Sequence, residues 1–317
     1  MRSKILLVAL LTCMSINTEA SALKLPAGKV TIRVVDENGK PVVGMPVGIG
    51  FPVPAKTHRG IAGEAVKGFS DSNGLFEAQH ETMDYVNFGA DKEGYYKSRG
   101  RFNFSRSKSN QWEPWNPTVE LVMRKKENPV AMYARKINVD MPVLGKEVGF
   151  DLMEGEWVAP YGKGKYPDFV FKMDSTVKSL LEFAGVLKLT FPEPFNGIQV
   201  IKEDLQYGSS FKLPRFAPES GYQDELVKDN KSIPDQPYKE DYAKDNNYTF
   251  RIRAEVEEGK LVRAMYGKIQ RDIRFDPRSK RIHFTYYLNP DYTKNLEFDP
   301  KRNLFKNLPD RERVGLN

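Results

Sequence analysis

Apolar and polar residues alternate with a period of two through the first third of the chain. In residues 29–35, Val30, Ile32 and Val34 alternate with polar residues, a pattern typical of a strand with one buried face. An Asn-Gly turn signal follows this run. Six further runs of this kind, each bounded by turn-forming residues, lie at 42–51, 65–70, 75–79, 86–90, 95–104 and 118–123. Seven short strands at this spacing predict a β-sandwich.

One of these runs contains a residue that cannot complete a sheet ladder. Pro46 lies within the run at 42–51 and has no N–H to donate, so the pattern predicts that this strand is an edge or contains a bulge. The segments 52–64 and 105–117 are longer than a compact sandwich needs. They leave the strand register open at those two places.

The turn chemistry of this region resembles that of a known family. The quoted segments are VDENGKPV at 35–42, GMPV at 44–47, SDSNGLF at 70–76 and KEGY at 92–95. Together they resemble carboxypeptidase regulatory-like domains over residues 27–124. The resemblance implies a transthyretin-type sandwich that serves exported proteins as a structural or binding unit, and it implies no peptidase activity. These motifs specify a fold far better than an activity.

Beyond the polar segment 124–129, which ends in Pro129 and is typical of a linker, the strand-like pattern resumes. We therefore expect two domains, at 23–126 and 127–317, in an all-β protein whose second domain is larger and mainly β. The strongest strand signals of that second domain lie at 169–171, 187–191, 248–256, 261–275 and 281–288.

Two segments of the second domain are ambiguous. Residues 175–184 have apolar residues at helical spacing, but the strands predicted on either side favour a hairpin. Residues 214–247 contain four prolines and no periodic apolar face, so they predict a long loop that is either functional or a solvated excursion.

The N-terminus has the pattern of a signal peptide. Arg2 and Lys4 precede an apolar stretch at 5–14, and small residues at 20–22 form a cleavage site, which predicts a mature chain that starts at Leu23. An alternative is a lipoprotein attached through Cys13. Because Cys13 is the only cysteine, cleavage after residue 22 leaves no thiol for a disulfide or a metal. We expect a periplasmic, extracellular or cell-surface protein without a transmembrane segment.

The sequence identifies no catalytic or metal-binding constellation. Three histidines in 317 residues leave little material for histidine-based chemistry, and no cofactor is expected. Acidic groups such as Asp151 with Glu154 and Glu156, or Glu240 with Asp241, have the residue types of a glycosidase pair, but the sequence does not fix their geometry.

Aromatic residues form the first candidate binding feature. Trp112, Trp115, Trp157 and Tyr161 lie in segments rich in Gly, Pro and polar residues. Flat rings beside polar groups are suited to stacking against sugar rings or a protein partner. The alternative is that Trp157 and one of the others fill the core.

A basic segment forms the second candidate. Residues 260–283 carry eight Lys or Arg and two Asp, a net charge of +6 in a chain whose total is +7. Strand alternation predicts Lys268 and Arg274 on the outer face, opposite Ile273 and Phe275. The candidate ligand-binding residues are Lys268, Arg271, Arg274, Arg278 and Arg281. Arg271 falls on the apolar face and predicts a bulge or an edge position.

These features favour an exported, non-catalytic binding or cell-envelope structural protein. Its partner would be a polysaccharide or another envelope protein, and export argues against nucleic acid. Two alternatives remain open at this stage. The basic segment would otherwise be a charged face that protects an edge strand, and the aromatic segments would otherwise be subsites of a secreted glycan-active enzyme.

Overall fold

The computed structural model describes residues 24–55 and 60–315, and these residues are almost wholly β-structure. The predicted leader, Cys13 and the predicted start at Leu23 lie outside the described residues. The strands of the N-terminal third are β1 (Ala27–Val35), β2 (Pro46–Pro54), β3 (Ile61–Phe69), β4 (Leu75–Glu81), β5 (Tyr85–Ala90), β6 (Ser98–Asn103), β7 (Arg106–Lys108), β8 (Gln111–Glu113) and β9 (Thr118–Val122).

The remaining strands belong to the predicted second domain. They are β10 (Val130–Asp140), β11 (Glu147–Asp151), β12 (Glu156–Trp157), β13 (Phe169–Val177), β14 (Phe183–Thr190), β15 (Gly197–Lys202), β16 (Gly208–Ser209), β17 (Glu225–Ser232), β18 (Lys239–Glu240), β19 (Asn246–Glu257), β20 (Lys260–Ile269), β21 (Arg274–Asp276), β22 (Arg281–Asn289) and β23 (Phe298–Asn303). One 3₁₀ turn, Asp310–Glu312, is the only helical element in the described ranges. The predicted all-β fold class is confirmed. No helix in these ranges is long and apolar enough to cross a membrane.

The first sandwich places its core between two sheets. In one sheet β1 pairs with β4, β8 and β9, and the other has the order β16-β6-β5-β2-β3. Val30, Ile32 and Ile49 are fully buried between them, as the alternation requires. All seven predicted strand regions contain strands, and the insertion at 105–117 forms the additional hairpin β7–β8.

The expectation that the strand of Pro46 is an edge, or contains a bulge, is wrong. β2 pairs in regular register with β3 on one side and with β5 on the other. Pro46 is tolerated because it is the first residue of the strand, before the pairing with β5 begins at Val47. The edge of this sheet is β3 instead.

The second sandwich packs a larger, aromatic core between two sheets. One sheet has the order β15-β19-β20-β22-β10-β23, with β21 also on β22, and the other has the order β12-β11-β13-β14-β17-β18. Phe169 lies at the centre, with edge-to-face contacts to Phe171, Phe191 and Phe250 at ring separations of 5.1–6.0 Å. Such arrangements are the favoured geometry of aromatic pairs.

Several predicted segments of this sandwich need correction. Residues 175–184 are the hairpin between β13 and β14, as favoured above. The predicted loop 214–247 contains β17 and β18. The sequence has no apolar alternation at β17 because the buried residues of this strand are the polar Lys228 and Asn230. The run at 261–275 is not one strand, since β20 ends at Ile269 and Arg271 has a φ of 66°.

The two sandwiches meet at a buried polar junction. Between β15 and β17 the chain returns to the first sandwich, where β16 pairs with β6 and Phe211 packs against Tyr96 at 4.9 Å. The Arg124 guanidinium donates to the carbonyl oxygens of Phe211 (2.9 Å) and Leu213 (3.0 Å). These contacts tie the second half of the chain to the sheet of β2, β3, β5 and β6.

Glu297 lies at the centre of this junction and is 1% exposed. Its carboxylate accepts hydrogen bonds from the backbone N–H groups of Glu127 (3.0 Å) and Asn128 (2.8 Å) and from the Tyr96 hydroxyl (2.8 Å), and it pairs with Arg215 at 2.9 Å. Burial opposes its ionisation, but these donors hold its pKa below the usual value. The predicted linker 124–129 is therefore hydrogen-bonded into the junction.

Candidate functional site

The predicted aromatic residues fall into two groups with different roles. Trp157 is 8% exposed, contacts Phe150 edge-to-face and donates its indole N–H to the Asp140 carbonyl at 3.2 Å. Trp112 is half-buried and donates to the Thr82 carbonyl at 3.0 Å. Both side chains therefore belong to the cores of their sandwiches, which is the alternative stated above.

Trp115 and Tyr161 are accessible but lie on different sandwiches. Trp115 follows β8 in the first sandwich and is 39% exposed, and Tyr161 follows β12 in the second and is 45% exposed. Within residues 24–55 and 60–315 no ring contact joins the tryptophans of the first sandwich to Trp157 or Tyr161. The structure does not assemble the four rings into one platform.

The predicted outward position of Lys268 is wrong. Its side chain is fully buried, and its ammonium lies 4.3 Å from the ring centre of Phe211 and 5.1 Å from that of Tyr287. Burial and the nearby positive charge of Arg124 lower its pKa well below the usual value, and Glu297 partly opposes that shift. Lys268 is part of the interdomain junction, because Phe211 crosses over it from the other half of the chain.

Three of the other basic candidate residues contact acidic side chains. Arg281 pairs with Asp140 at 2.8 Å, and Arg278 pairs with Asp276 at 2.9 Å. Arg274 is exposed and stacks on Tyr242 at 4.8 Å, with Glu240 at 3.9 Å. Arg271 is exposed at the break between β20 and β21. Asp140 and Glu240, which lie outside the segment in sequence, thus offset part of its positive charge in three dimensions.

Asp151, the first of the acidic candidates, is engaged in holding a loop. It accepts four backbone N–H bonds at 2.9–3.2 Å, from residues 153, 154, 165 and 166, and it pairs with Arg253 at 3.1 Å. Burial opposes its ionisation, but the backbone donors lower its pKa below the usual value. Asp168 binds the same guanidinium at 2.7 Å, and its burial raises its pKa.

The remaining acidic candidates are also paired. Glu154 binds Lys165 at 2.9 Å, Glu156 accepts the backbone N–H of Lys163 at 3.3 Å, and Glu240 accepts the hydroxyl of Tyr238 at 3.1 Å. In the described ranges no group of three His, Cys, Asp or Glu side chains is arranged to hold a metal ion. Asp241, the last of these acidic candidates, accepts the backbone N–H of Asp229 at 2.9 Å.

An accessible feature that the sequence did not indicate is the open edge of the first sandwich. Among residues 24–55 and 60–315, β3 is the terminal strand of its sheet and pairs only with β2, along all nine residues. Ile61 is 64% exposed and Phe69 is 69% exposed. The sequence pattern predicts only residues 65–70 of this strand. Its first half contains a glycine and does not alternate between apolar and polar residues.

A groove runs along the outer sheet face beside this edge. It encloses about 710 Å³, and its floor is formed by Gly48, Gly50, Ala65 and Gly89. A Cβ atom at Gly48 would contact Lys67 at 3.8 Å, and one at Gly50 would contact the Asn87 carbonyl at 3.7 Å, both ordinary separations. Packing within the chain therefore does not require glycine at these two positions, although glycine weakens a strand. The groove and β3 are together called the edge site.

Comparison with known proteins identifies no family for this chain. No family model matches it, and no curated protein matches it. Among solved structures, it is similar to three pilins. The shaft pilin spaA of Lactobacillus rhamnosus GG is 14% identical over 54% of this chain and 89% of that chain, with a TM-score of 0.23.

The other two reported pilins cover more of the chain at lower identity. The major pilin subunit BcpA of Bacillus cereus is 10% identical over 86% of this chain and 99% of that chain, with a TM-score of 0.23. The full-length major pilin SpaD of Corynebacterium diphtheriae is 8% identical over 87% of this chain and 84% of that chain, with a TM-score of 0.25. TM-scores this far below 0.5 do not establish a common fold.

Proposed function

We propose that the protein is an exported, non-catalytic binding or structural protein of the cell envelope, and that it binds a polypeptide segment by strand addition at the edge site. The observation that carries the proposal is the nine-residue strand β3, which is paired on one side and largely exposed. A long edge with unpaired backbone groups is a template for another strand. The first sandwich would then serve as the carboxypeptidase regulatory-like module that its turn motifs resemble.

The edge site has the two components that strand addition uses. The unpaired backbone groups of β3 supply main-chain hydrogen bonds, and the adjoining groove supplies room for alternate side chains of the added strand. Lys67, Lys97 and Asp91 lie among the groove residues, so the rim is polar while the floor is apolar. The acidic residues that were candidates for a glycosidase pair are engaged in the hydrogen bonds and ion pairs described above. This supports a non-catalytic role.

Site-specific photo-cross-linking in cells tests this proposal. A photoreactive amino acid at position 67 in β3 is expected to give adducts with polypeptide, because an added strand passes within contact distance of that position. The matched control is position 178, which lies in the exposed β13–β14 turn of the second sandwich. Combining position 67 with Ala65→Pro, which removes the central edge N–H of β3, is expected to abolish the adducts.

Two results would contradict the proposed function. Equal adduct formation at positions 67 and 178 would show that β3 is not a preferred contact surface. Hydrolysis of a glycan by the purified chain, lost on Glu240→Gln, would instead support the glycan-active alternative.

A further inference from the structure

We infer that the strand added at the edge site is β3 of a second copy of this chain, in a two-fold antiparallel pair centred on Ala65. The inference rests on the binding role proposed above for β3. It names the occupant as a second copy because one register pairs the full strand with itself, brings its two most exposed apolar side chains together and opposes no like charges.

The pairing with β2 determines which backbone groups of β3 face the open side. The hairpin is bounded by the bonds Ala55 N–H to Gly60 O and Ser70 N–H to Met45 O, both at 3.0 Å. Hydrogen-bonded and non-hydrogen-bonded pairs alternate in an antiparallel ladder. In this register the even-numbered residues of β3 therefore exchange bonds with β2. The odd-numbered residues 61, 63, 65, 67 and 69 direct their N–H and C=O groups to the open edge.

The prolines of β2 agree with this assignment. Pro46, Pro52 and Pro54 lie opposite Phe69, Gly63 and Ile61 respectively. All three partners are odd-numbered, so each proline occupies a non-hydrogen-bonded position where its missing N–H removes no ladder bond. The β2–β3 ladder is thus complete, and the unpaired groups of β3 are confined to the other side.

Two-fold symmetry restricts the possible registers. In a two-fold antiparallel pair the edge-facing, odd-numbered residues meet each other whenever the paired residue numbers have an even sum, so the centre can be any residue of the strand. A centre at Glu64 opposes two carboxylates directly, and a centre at Val66 leaves Ile61 beyond the paired region. A centre at Ala65 pairs 61 with 69 and 63 with 67, and it uses the full strand to give about ten backbone hydrogen bonds. A centre at Lys67 opposes two lysines directly, and a centre at Gly63 leaves Phe69 beyond the paired region.

The side chains favour the same register. With Ala65 at the centre, Ile61 of each copy lies opposite Phe69 of the other on the groove face. The two most exposed apolar side chains of the strand, 64% and 69% accessible in one copy, thereby become cross-strand neighbours twice. Glu64 faces Val66 and Lys67 faces Gly63, so no like charges oppose each other. The result is a continuous ten-stranded sheet built from two five-stranded sheets.

Cysteine cross-linking tests this register directly in the full chain carrying Cys13→Ser. Ala65→Cys places two thiols opposite each other at a Cα separation of about 5.5 Å, within the range of a disulfide. It is expected to form a disulfide-linked dimer on mild oxidation of the folded protein. Lys67→Cys, on the same face of the same exposed strand, faces Gly63 of the second copy and is expected to cross-link at least tenfold more slowly.

Charge variants test the same pairing without a covalent bond. Ile61→Lys with Phe69→Lys opposes like charges twice and is expected to be monomeric by sedimentation at roughly 100 µM. Ile61→Lys with Phe69→Glu opposes unlike charges twice and is expected to remain dimeric, as is the unmodified chain. Both variants remove the same two apolar side chains, so the comparison separates pairing from a general loss of apolar surface.

The outcomes distinguish this inference from the proposed function. Equal cross-linking of Ala65→Cys and Lys67→Cys, or a monomeric unmodified chain at roughly 100 µM, overturns the self-pairing. If the adducts formed in cells at position 67 contain a different polypeptide, the self-pairing is also overturned, while the binding role of β3 stands. Among these outcomes, the absence of specific adducts at position 67 is the one that removes the binding role itself.

Discussion

Lys268→Glu is expected to destabilise the folded protein by about 4–5 kcal/mol, because it leaves an unpaired carboxylate in a buried site. The Lys268 side chain is fully buried against the rings of Phe211 and Tyr287. A carboxylate there would be desolvated and would lose the cation–π contacts that the ammonium makes with both rings. Arg274→Glu is the matched control, since that side chain is exposed on the same segment. Chemical denaturation monitored by tryptophan fluorescence measures the free energy of unfolding of both variants.

The same lysine gives a pH dependence whose sign follows from its pKa. The folded protein holds the Lys268 pKa well below 10.5, so in alkaline solution the unfolded chain binds a proton that the folded chain does not. The contribution of this site to the free energy of unfolding therefore rises with pH between the pKa of Lys268 in the folded protein and its pKa in the unfolded chain. Relative to Lys268→Met, the unmodified protein is expected to gain free energy of unfolding from neutral pH toward pH 10.5. A constant difference, or equal destabilisation by Lys268→Glu and Arg274→Glu, would contradict the buried position.

Asp272→Ala is expected to destabilise the second sandwich by about 3–5 kcal/mol, since it removes one partner of a buried ion pair. Asp272 binds the Lys228 ammonium at 2.6 Å, and both side chains are at most 7% exposed. The same carboxylate accepts the hydroxyl of Tyr248, the backbone N–H of Ala243 at 2.9 Å and the Asn246 amide at 3.0 Å. Its removal leaves the ammonium and these donors without an acceptor in the core.

A double variant separates lost charge pairing from lost packing. Lys228→Met with Asp272→Leu removes both charges at similar volume and is expected to recover much of the stability lost in Asp272→Ala. Glu255→Ala is the control, because its pair with Arg263 is about half exposed and exposed pairs contribute little. Calorimetry of thermal unfolding measures the stability of all three variants. Equal effects of Asp272→Ala and Glu255→Ala would show that the buried pair is not a stabilising contact.

The fold class and the local positions of most strands can be predicted from the amino-acid sequence. Alternation in residues 29–35 places Val30, Ile32 and Val34 in the core, and the turn signals after it mark where the strand ends. This succeeds because the side-chain period of a half-buried strand is a local property of the chain. The hairpin at 175–184 was predictable for the same reason, since the strands on either side determine what can connect them.

Local pattern failed where buried residues are polar. β17 was missed because its inward Lys228 and Asn230 are stabilised by partners 44 and 45 residues away, Asp272 and the Phe275 carbonyl. Lys268 was assigned to the surface because a lysine in a strand ordinarily faces water. Both errors have one cause, namely that a charged residue can be buried only when distant parts of the chain provide its partners.

The tertiary structure alone decided the candidate site. Whether β3 is central or at an edge depends on which strands pair with it, and neighbouring strands in a sheet need not be neighbours in sequence. The openness of the groove at Gly48 and Gly50 likewise depends on the absence of a covering element within the described ranges. Composition identifies the residue types, but strand order and burial determine which of them face solvent, because both arise from contacts between distant segments.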